Sequence, residues 1–233
     1  MATIASPGGF RFLPVDGPFS AGVAAEPGFR IVRVQMPTDT ALAAGFRQVE
    51  RTLTAAGRPL TALCAMELRI PEPLTADGFE GFNRGYVAQH EAWGLRIDGH
   101  LSAARTNVAP EVNPPSEPCL HAFCHTVEAR GDRPTFVISG APEPPGTEGG
   151  LPAYWAAMAQ IMEERMTALM VGWEFATESC FYGTRADHEV FGADLGHFGE
   201  LVRPGLRWFF ARPPVAGLRL EIDVRGLAAE TWL

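Results

Sequence analysis

The chain has 233 residues, a net charge of −8 and 46% apolar residues. That length is enough for one large domain or for two of about 115 residues. The acidic balance, without a cluster of Lys or Arg, argues against nucleic-acid binding through a basic face. The sequence contains no run of about 18 apolar residues, so no membrane span is predicted. Residues 1–9 lack the basic and apolar regions of a signal peptide, so a cytoplasmic protein with reduced cysteines is expected.

The first half of the chain is predicted to alternate strands and helices. These elements follow a Gly- and Pro-rich irregular arm, the first thirty residues, which has room for one short strand. Apolar residues three or four apart predict a helix that Thr38 or Asp39 caps and Gly57 ends. A second helical stripe covers residues 78–93. The predicted strands of this half cover residues 29–36, 63–70, 105–108 and 119–127.

The second half is predicted to repeat this order. A long Met-containing helix from residue 152 to about 170 separates strands at 135–140 and 175–182, and a weaker helical segment covers 188–198. Two closing strands follow. The repeat predicts an α+β protein of two domains, residues 1–128 and 129–233, each with helices on one face of a mixed sheet.

Two apolar runs around a Pro-Pro turn mark the closing strands. The first run holds three consecutive aromatic residues, and the second alternates apolar residues with Arg219, Glu221 and Asp223. That alternation predicts a strand with one buried face. Because Pro213 and Pro214 cannot donate ladder hydrogen bonds, the chain is expected to leave the sheet between the two strands.

Three stretches of this sequence resemble the RidA (YjgF) family of enamine/imine deaminases. The aromatic strand, the Ala-Arg-Pro-Pro turn and the Glu-x-Asp strand end in LRWFFARPPVAGLRLEIDVRG are similar to the family's closing strands. The segment RQVERTLTAAGRPLTALCAMELRIPEPLTADGFEGFNRGYV is similar to its helix, AAG stop, strand and F…N…Y helix, and VISG to its Ser-Gly strand end. The resemblance implies two tandem RidA-like (chorismate-mutase-like) domains and a homotrimer with sites between neighbouring subunits.

The resemblance also implies site residues that are divided between the halves. Arg105 occupies the place of the family's functional arginine, and Asn107 the place where many members carry a cysteine. Ser139 and Gly140 match the Ser-Gly strand end, and Glu221 matches the closing strand. The second-half arginine position falls on a glycine. The expected site therefore combines the arginine of a first half with the Ser-Gly pair and the glutamate of a second half, from the same chain or a neighbour.

These residue types suit the hydrolysis of an enamine or imine acid. The guanidinium of Arg105 can hold a substrate carboxylate through two parallel hydrogen bonds. Glu221 can hold or deprotonate the attacking water, and the backbone near Gly140 can bind developing negative charge. Asn107 can bond a substrate but cannot act as a thiol. The expected function is a deaminase that releases ammonia from such an acid, a 2-aminomuconate-type intermediate of aromatic degradation being one candidate, with no cofactor.

Several residues also have simpler interpretations. Arg105 could form an ion pair at a domain interface, and Glu221 could be the solvent-facing residue of an alternating strand. Cys119, His121 and His125 share one strand face and could supply zinc ligands, but packing between sheet and helix is favoured, so no metal is expected.

Two other functions stay open on the sequence alone. The first is a chorismatase-like lyase or hydrolase of another small carboxylate, although this chain is shorter than those enzymes. The second is a non-catalytic ligand-binding or structural trimer, which the missing second-half arginine favours. No P-loop, GxGxxG, HExxH or GxSxG motif occurs, which argues against the common nucleotide-binding, zinc-protease and hydrolase classes.

Overall fold

The computed structural model describes residues 2–37, 40–131, 133–191, 199–200 and 203–233. The strands, in chain order, are β1 Ile4–Ser6, β2 Phe10–Leu13, β3 Gly22–Ala25, β4 Phe29–Gln35, β5 Leu63–Arg69, β6 Arg96–Ile97, β7 His100–Leu101, β8 Ala104–Pro110, β9 Cys119–Glu128, β10 Phe136–Pro142, β11 Glu178–Gly183, β12 Leu206–Arg212, β13 Glu221–Gly226 and β14 Ala229–Trp232. The helices are α1 Leu42–Ala55, α2 Ala76–Ala92, α3 Leu151–Ala168 and α4 Arg185–Phe191.

The predicted order of elements is present, and it repeats. The first half runs β4-α1-β5-α2-β8-β9 and places its strands in the order β8-β5-β9-β4; the second runs β10-α3-β11-α4-β12-β13, with the order β12-β11-β13-β10. In each half the third strand pairs parallel to the second, and the fourth pairs antiparallel to both the first and the second. Each half is therefore the same mixed four-stranded unit, which explains the similar hydrophobic pattern of two dissimilar sequences.

The two halves share one continuous sheet. β12 pairs antiparallel with β8 through Ala211 with Pro110 and Arg212 with Ala109, and this short contact connects the two four-stranded units. The sequence predicts one sheet for each half, whereas the hydrogen bonds between β8 and β12 join them. The division into domains at residue 128 stays a prediction.

The ends of the chain extend the sheet in ways the sequence does not predict. The arm forms three short strands instead of one, and β3 pairs antiparallel with β10, a strand of the second half. At the other end, β14 pairs parallel with β4 of the first half. Each terminal segment thus lies on the half to which it does not belong in sequence, because the outer strand of each unit has an unpaired edge that can accept another strand.

Helices cover one face of the sheet and form two cores. In the first half, Val49 and Leu53 of α1 and Tyr86 of α2 pack on β5 and β9. In the second half, three buried methionines of α3 pack on β10, β11 and β13, as expected for a core helix. They are Met158, Met162 and Met166.

A third core lies on the face away from the helices and includes both halves. Val137 of β10 packs there with Ile31 of β4 and Cys124 of β9. Buried ionic groups continue this face: Arg225 of β13 lies 2.8 Å from a carboxylate oxygen of Glu67, a β5 residue. The sheet therefore curls so that its second face is also buried.

Because of this curvature, both faces of β13 are buried, whereas the sequence predicts one buried face. Ile222, on the predicted apolar face, packs under α3 together with Val224, but Glu221 and Asp223 on the opposite face are also buried, with 3% and 0% of their surface exposed. The prediction of one solvent-exposed face for this strand is wrong, because an alternating pattern cannot show that another part of the sheet covers the polar side.

Part of the sequence prediction falls outside the described residues. This applies to the cap at Thr38 or Asp39 and to the helical segment beyond Phe191. The described start of that segment is helical, as α4. None of the described helices combines the length and apolar composition that crossing a bilayer would require.

Candidate functional site

The hydroxyl of Ser139 joins the two halves beside the candidate site. Its Oγ accepts a hydrogen bond from the backbone N–H of Arg105 at 3.0 Å and donates one to the carbonyl of Ser20 at 2.5 Å. Ser139 is fully buried, with its hydroxyl engaged by the protein, so it fixes β8 against β10. Its predicted contact with a substrate stays a prediction.

Arg105 projects from β8 towards α2, where aromatic rings surround it. Its Nη1 donates a hydrogen bond to Oδ1 of Asn83 at 2.7 Å. The guanidinium carbon lies 4.5 Å from the ring centre of Phe19, 4.8 Å from that of Tyr86 and 5.4 Å from that of Phe79. Among the described residues, no carboxylate oxygen lies within 4.0 Å of it, so the predicted alternative of an interface ion pair is not present there.

Burial does not remove the positive charge of Arg105. It lowers the pKa of the guanidinium to about 10, while Tyr86 and Glu221 act in the opposite direction. The side chain is therefore protonated at neutral pH. A buried cation with ring contacts and no counter-charge is well suited to bind a carboxylate.

Glu221 supplies an acidic group on the other side of the site. Burial raises the pKa of its carboxyl to about 8, and the neighbouring charge of Asp223 adds to this, whereas Arg105, Arg69 and Arg165 oppose it. At neutral pH the side chain is therefore mainly protonated. A carboxyl group that titrates in this range can donate a proton and later accept one.

Gly140 makes room for that carboxyl group. A Cβ atom at this position would lie 1.9 Å from Oε1 of Glu221, well inside contact distance. The residue therefore acts through the space it leaves, and any larger side chain would displace the glutamate.

Asn107 lies two residues after Arg105 on β8 and points to the same side of the strand. It is 3% exposed, yet neither its amide nitrogen nor its amide oxygen has a hydrogen-bond partner among the described residues. An unpaired buried amide costs stability, and a bound molecule that forms hydrogen bonds with this amide would remove that cost.

These groups line one cavity of about 130 Å³, which we call the Arg105 cavity. Arg105 and Asn107 come from the first half, and Gly140 and Glu221 from the second, all within a single chain. The rest of the wall is mainly apolar. It consists of Phe19, Phe79, Pro142, Pro214, Val215 and Leu218.

Two polar neighbours of the site were not singled out from the sequence. Asn83 lies in the F…N…Y stretch that carries the family resemblance, which could have identified it as the partner of Arg105. Arg165 of α3 donates a hydrogen bond to the backbone carbonyl of Ser139 at 2.9 Å. Its signal was its spacing, since it lies three residues after buried Met162 on the core side of the helix.

Two arginines near the glycine at the second-half arginine position do not line the Arg105 cavity, and neither does the Cys-His cluster. Arg203 pairs with Glu200 on the surface, and Arg207 with Glu178 at 3.1 Å. Cys119 and His121 line a different cavity, whereas Nδ1 of His125 lies 3.2 Å from the carbonyl of Thr126. Within the described ranges, no three His, Cys, Asp or Glu side chains are arranged to hold a metal ion.

Two solved structures resemble the fold weakly. One is a chorismatase, 13% identical, with a match that covers 91% of this chain and 80% of that one at a TM-score of 0.49. The other is a cyanuric acid hydrolase from A. caulinodans, also 13% identical, with coverage of 88% and 68% and a TM-score of 0.43. Both TM-scores are below 0.5, which indicates only a loose similarity of fold.

Sequence comparison is more specific. A 2-amino-5-chloromuconate deaminase of Comamonas testosteroni is 37% identical over 249 residues, which cover 100% of this chain and 99% of that protein. The family model described as 2-aminomuconate deaminase CnbZ matches residues 2–231. The chain thus belongs to the CnbZ family of 2-aminomuconate deaminases.

Proposed function

We propose that this protein is a deaminase that hydrolyses a 2-aminomuconate-type enamine carboxylate and releases ammonia in the Arg105 cavity. The observation that carries the proposal is the combination of three groups in one cavity. They are an arginine without a counter-charge, a buried carboxyl group whose pKa lies near neutrality, and an unpaired amide. Family membership and the name of the Comamonas relative support the substrate class.

Arg105 binds the substrate carboxylate beside the amino-bearing carbon. Its planar fork can form two parallel hydrogen bonds, and the surrounding rings hold its orientation. The unpaired amide of Asn107 then contacts the amino group, with Oδ1 accepting from the substrate N–H. These contacts bring the reacting carbon to the carboxyl group of Glu221.

Glu221 transfers the protons. In its protonated form it donates a proton to the enamine carbon next to the amino-bearing carbon, and the enamine becomes an iminium ion. As a carboxylate, it then takes a proton from water while the water oxygen attacks the iminium carbon. Glu221 next returns this proton to the nitrogen of the resulting amino alcohol and takes the hydroxyl proton as ammonia leaves, so one enamine and one water give one keto acid and one ammonia.

We also propose that the site chemistry is of the RidA-like enamine/imine type. The two halves are tandem RidA-like domains, and the chain assembles as a homotrimer in the cytoplasm. The repeated β8-β5-β9-β4 and β12-β11-β13-β10 arrangement supports the tandem description. The substrate is a small carboxylate of aromatic degradation.

Ammonia release from 2-aminomuconate, generated in situ, tests the proposal. Arg105→Lys keeps the charge but loses the fork, so kcat/KM should fall roughly tenfold to a hundredfold, and Arg105→Ala should lower it further. Glu221→Gln should lower kcat. Arg203→Ala is the matched control, because Arg203 pairs only on the surface.

Each variant is checked for folding by circular dichroism. The proposal would be overturned if folded Arg105→Ala and Glu221→Gln released ammonia as fast as the wild type. It would also be overturned if the wild type bound the substrate without turnover.

A further inference from the structure

A second, larger cavity lies apart from the Arg105 cavity. It has a volume of about 410 Å³, within the range of small-molecule sites, and the two cavities have no lining residue in common. We call it the Arg69 cavity. Its wall includes Gln35, Arg69, His121, Arg207, Phe209 and Trp232.

Arg69, at the end of β5, is the unusual group in this wall. It is 7% exposed, and its Nη1 donates to the carbonyl of Leu68 at 2.9 Å, whereas Nη2 is buried without a partner among the described residues. Its guanidinium lies 5.7 Å from the ring centre of Tyr182 and 5.9 Å from that of Phe209. No described carboxylate lies within 4.0 Å of it.

Arg33, the second buried arginine of this wall, has its charge compensated by carboxylates. Nε and Nη2 of Arg33 form a bidentate pair with Glu67 at 2.6 and 2.8 Å, and its Nη1 lies 2.5 Å from Glu230. Arg69 has no such carboxylate. A buried charge without a partner is destabilising, so Arg69 weakens the fold unless an anion completes it.

The rest of the wall indicates which kind of ligand would fit beside Arg69. Phe209 and Trp232 present aromatic surface, and Trp232 is 76% exposed on the edge strand β14. Burial and the nearby Arg69 lower the pKa of His121 to about 3, so its ring is neutral and can donate one N–H. Arg207, which is more than half exposed, also lines the cavity, and its charge is paired with Glu178 at 3.1 Å.

We propose that the Arg69 cavity is a second ligand site, which binds a small carboxylate with a flat unsaturated body. Its carboxylate pairs with the free Nη2 edge of Arg69, and the body lies against Phe209 and Trp232. The site is separate from the Arg105 cavity, although β5 and β8 place Arg69 beside Val108, the residue that follows Asn107.

Calorimetric titration of the full-length protein with cis,cis-muconate tests this. The wild type should bind two muconate ions per chain. Arg69→Met should weaken one of the two sites roughly tenfold to a hundredfold, and Arg105→Met should weaken the other. Because the readout is binding, its outcome is independent of whether ammonia is released.

Stability provides a second readout. Arg69→Met has a similar length without the charge, so it should unfold at the same denaturant concentration as the wild type or higher. If that variant does not fold, Val112→Trp narrows the same cavity from an exposed position and should remove the same site. A single muconate site in the wild type that Arg105→Met removes, or unchanged binding in folded Arg69→Met and Val112→Trp, would overturn the proposal.

Discussion

A Cβ atom on Gly140 would lie 1.9 Å from Oε1 of Glu221, so the carboxyl group occupies the space that a side chain at position 140 would fill. The neighbouring strands β10 and β13 therefore contribute to one site. This contact links the predicted Ser-Gly strand end to the predicted glutamate more directly than the serine does, because the Ser139 hydroxyl bonds only to backbone groups.

Gly140→Ala should displace the Glu221 carboxyl group. A shift of about 1 Å in a catalytic group lowers the rate roughly a hundredfold, so kcat for ammonia release should fall by that order while the protein stays folded. Gly85→Ala is the matched control, because a Cβ there meets no atom within 4 Å. Equal activity of the two variants would contradict the positioning role of Gly140.

The raised pKa of Glu221 predicts the pH dependence of catalysis. The carboxyl group must carry a proton to convert the enamine into the iminium ion, and its pKa is about 8. The value of kcat/KM should therefore fall tenfold for each pH unit above about 8. Glu221→Gln should abolish this descending limb, and an identical limb in that variant would assign it to another group.

The raised pKa of Glu221 also makes the free energy of unfolding depend on pH. Glu221 has an ordinary pKa of 4.5 and a folded-state pKa of about 8, so between these values the folded state keeps a proton that the unfolded state has lost. Its contribution to stability is present below pH 4.5 and is lost as pH rises to about 8. Urea unfolding should show a smaller decline from pH 5 to pH 8 in Glu221→Gln than in the wild type. Parallel declines in the two proteins would refute the buried protonated state.

Asn83→Asp should place a carboxylate against Arg105, 2.7 Å from Nη1 in the native geometry. That carboxylate would neutralise the guanidinium and compete with the substrate, so KM should rise roughly tenfold to a hundredfold. Gln160→Glu on the exposed side of α3 adds the same charge away from the cavity and serves as the control. An unchanged KM in Asn83→Asp would show that Arg105 does not bind the substrate.

Asn107→Leu replaces an unpaired buried amide with an apolar group of similar size. Removing the two unsatisfied atoms should raise the free energy of unfolding by roughly 1–3 kcal/mol. The loss of a substrate hydrogen bond should lower kcat/KM about tenfold. Denaturant unfolding and initial rates of ammonia release measure the two effects. A variant that is less stable than the wild type would indicate that the amide has a structural partner.

The sequence by itself determined the order of the elements and their repeat. Apolar residues spaced three or four apart, as in Val49 and Leu53, specify a helix through local geometry alone. The same holds for the alternation in β4. The family resemblance pointed to Arg105, Asn107, Gly140 and Glu221, and these four residues line one cavity.

Only the tertiary structure decided how those elements meet. The pairing of β3 with β10, of β14 with β4 and of β8 with β12 joins residues far apart in the chain, and no local period encodes such contacts. The burial of Glu221 on the polar side of an alternating strand follows from that long-range closure of the sheet. Its raised pKa and its contact with Gly140 follow from the same closure, because desolvation depends on what covers a side chain and not on its neighbours in sequence.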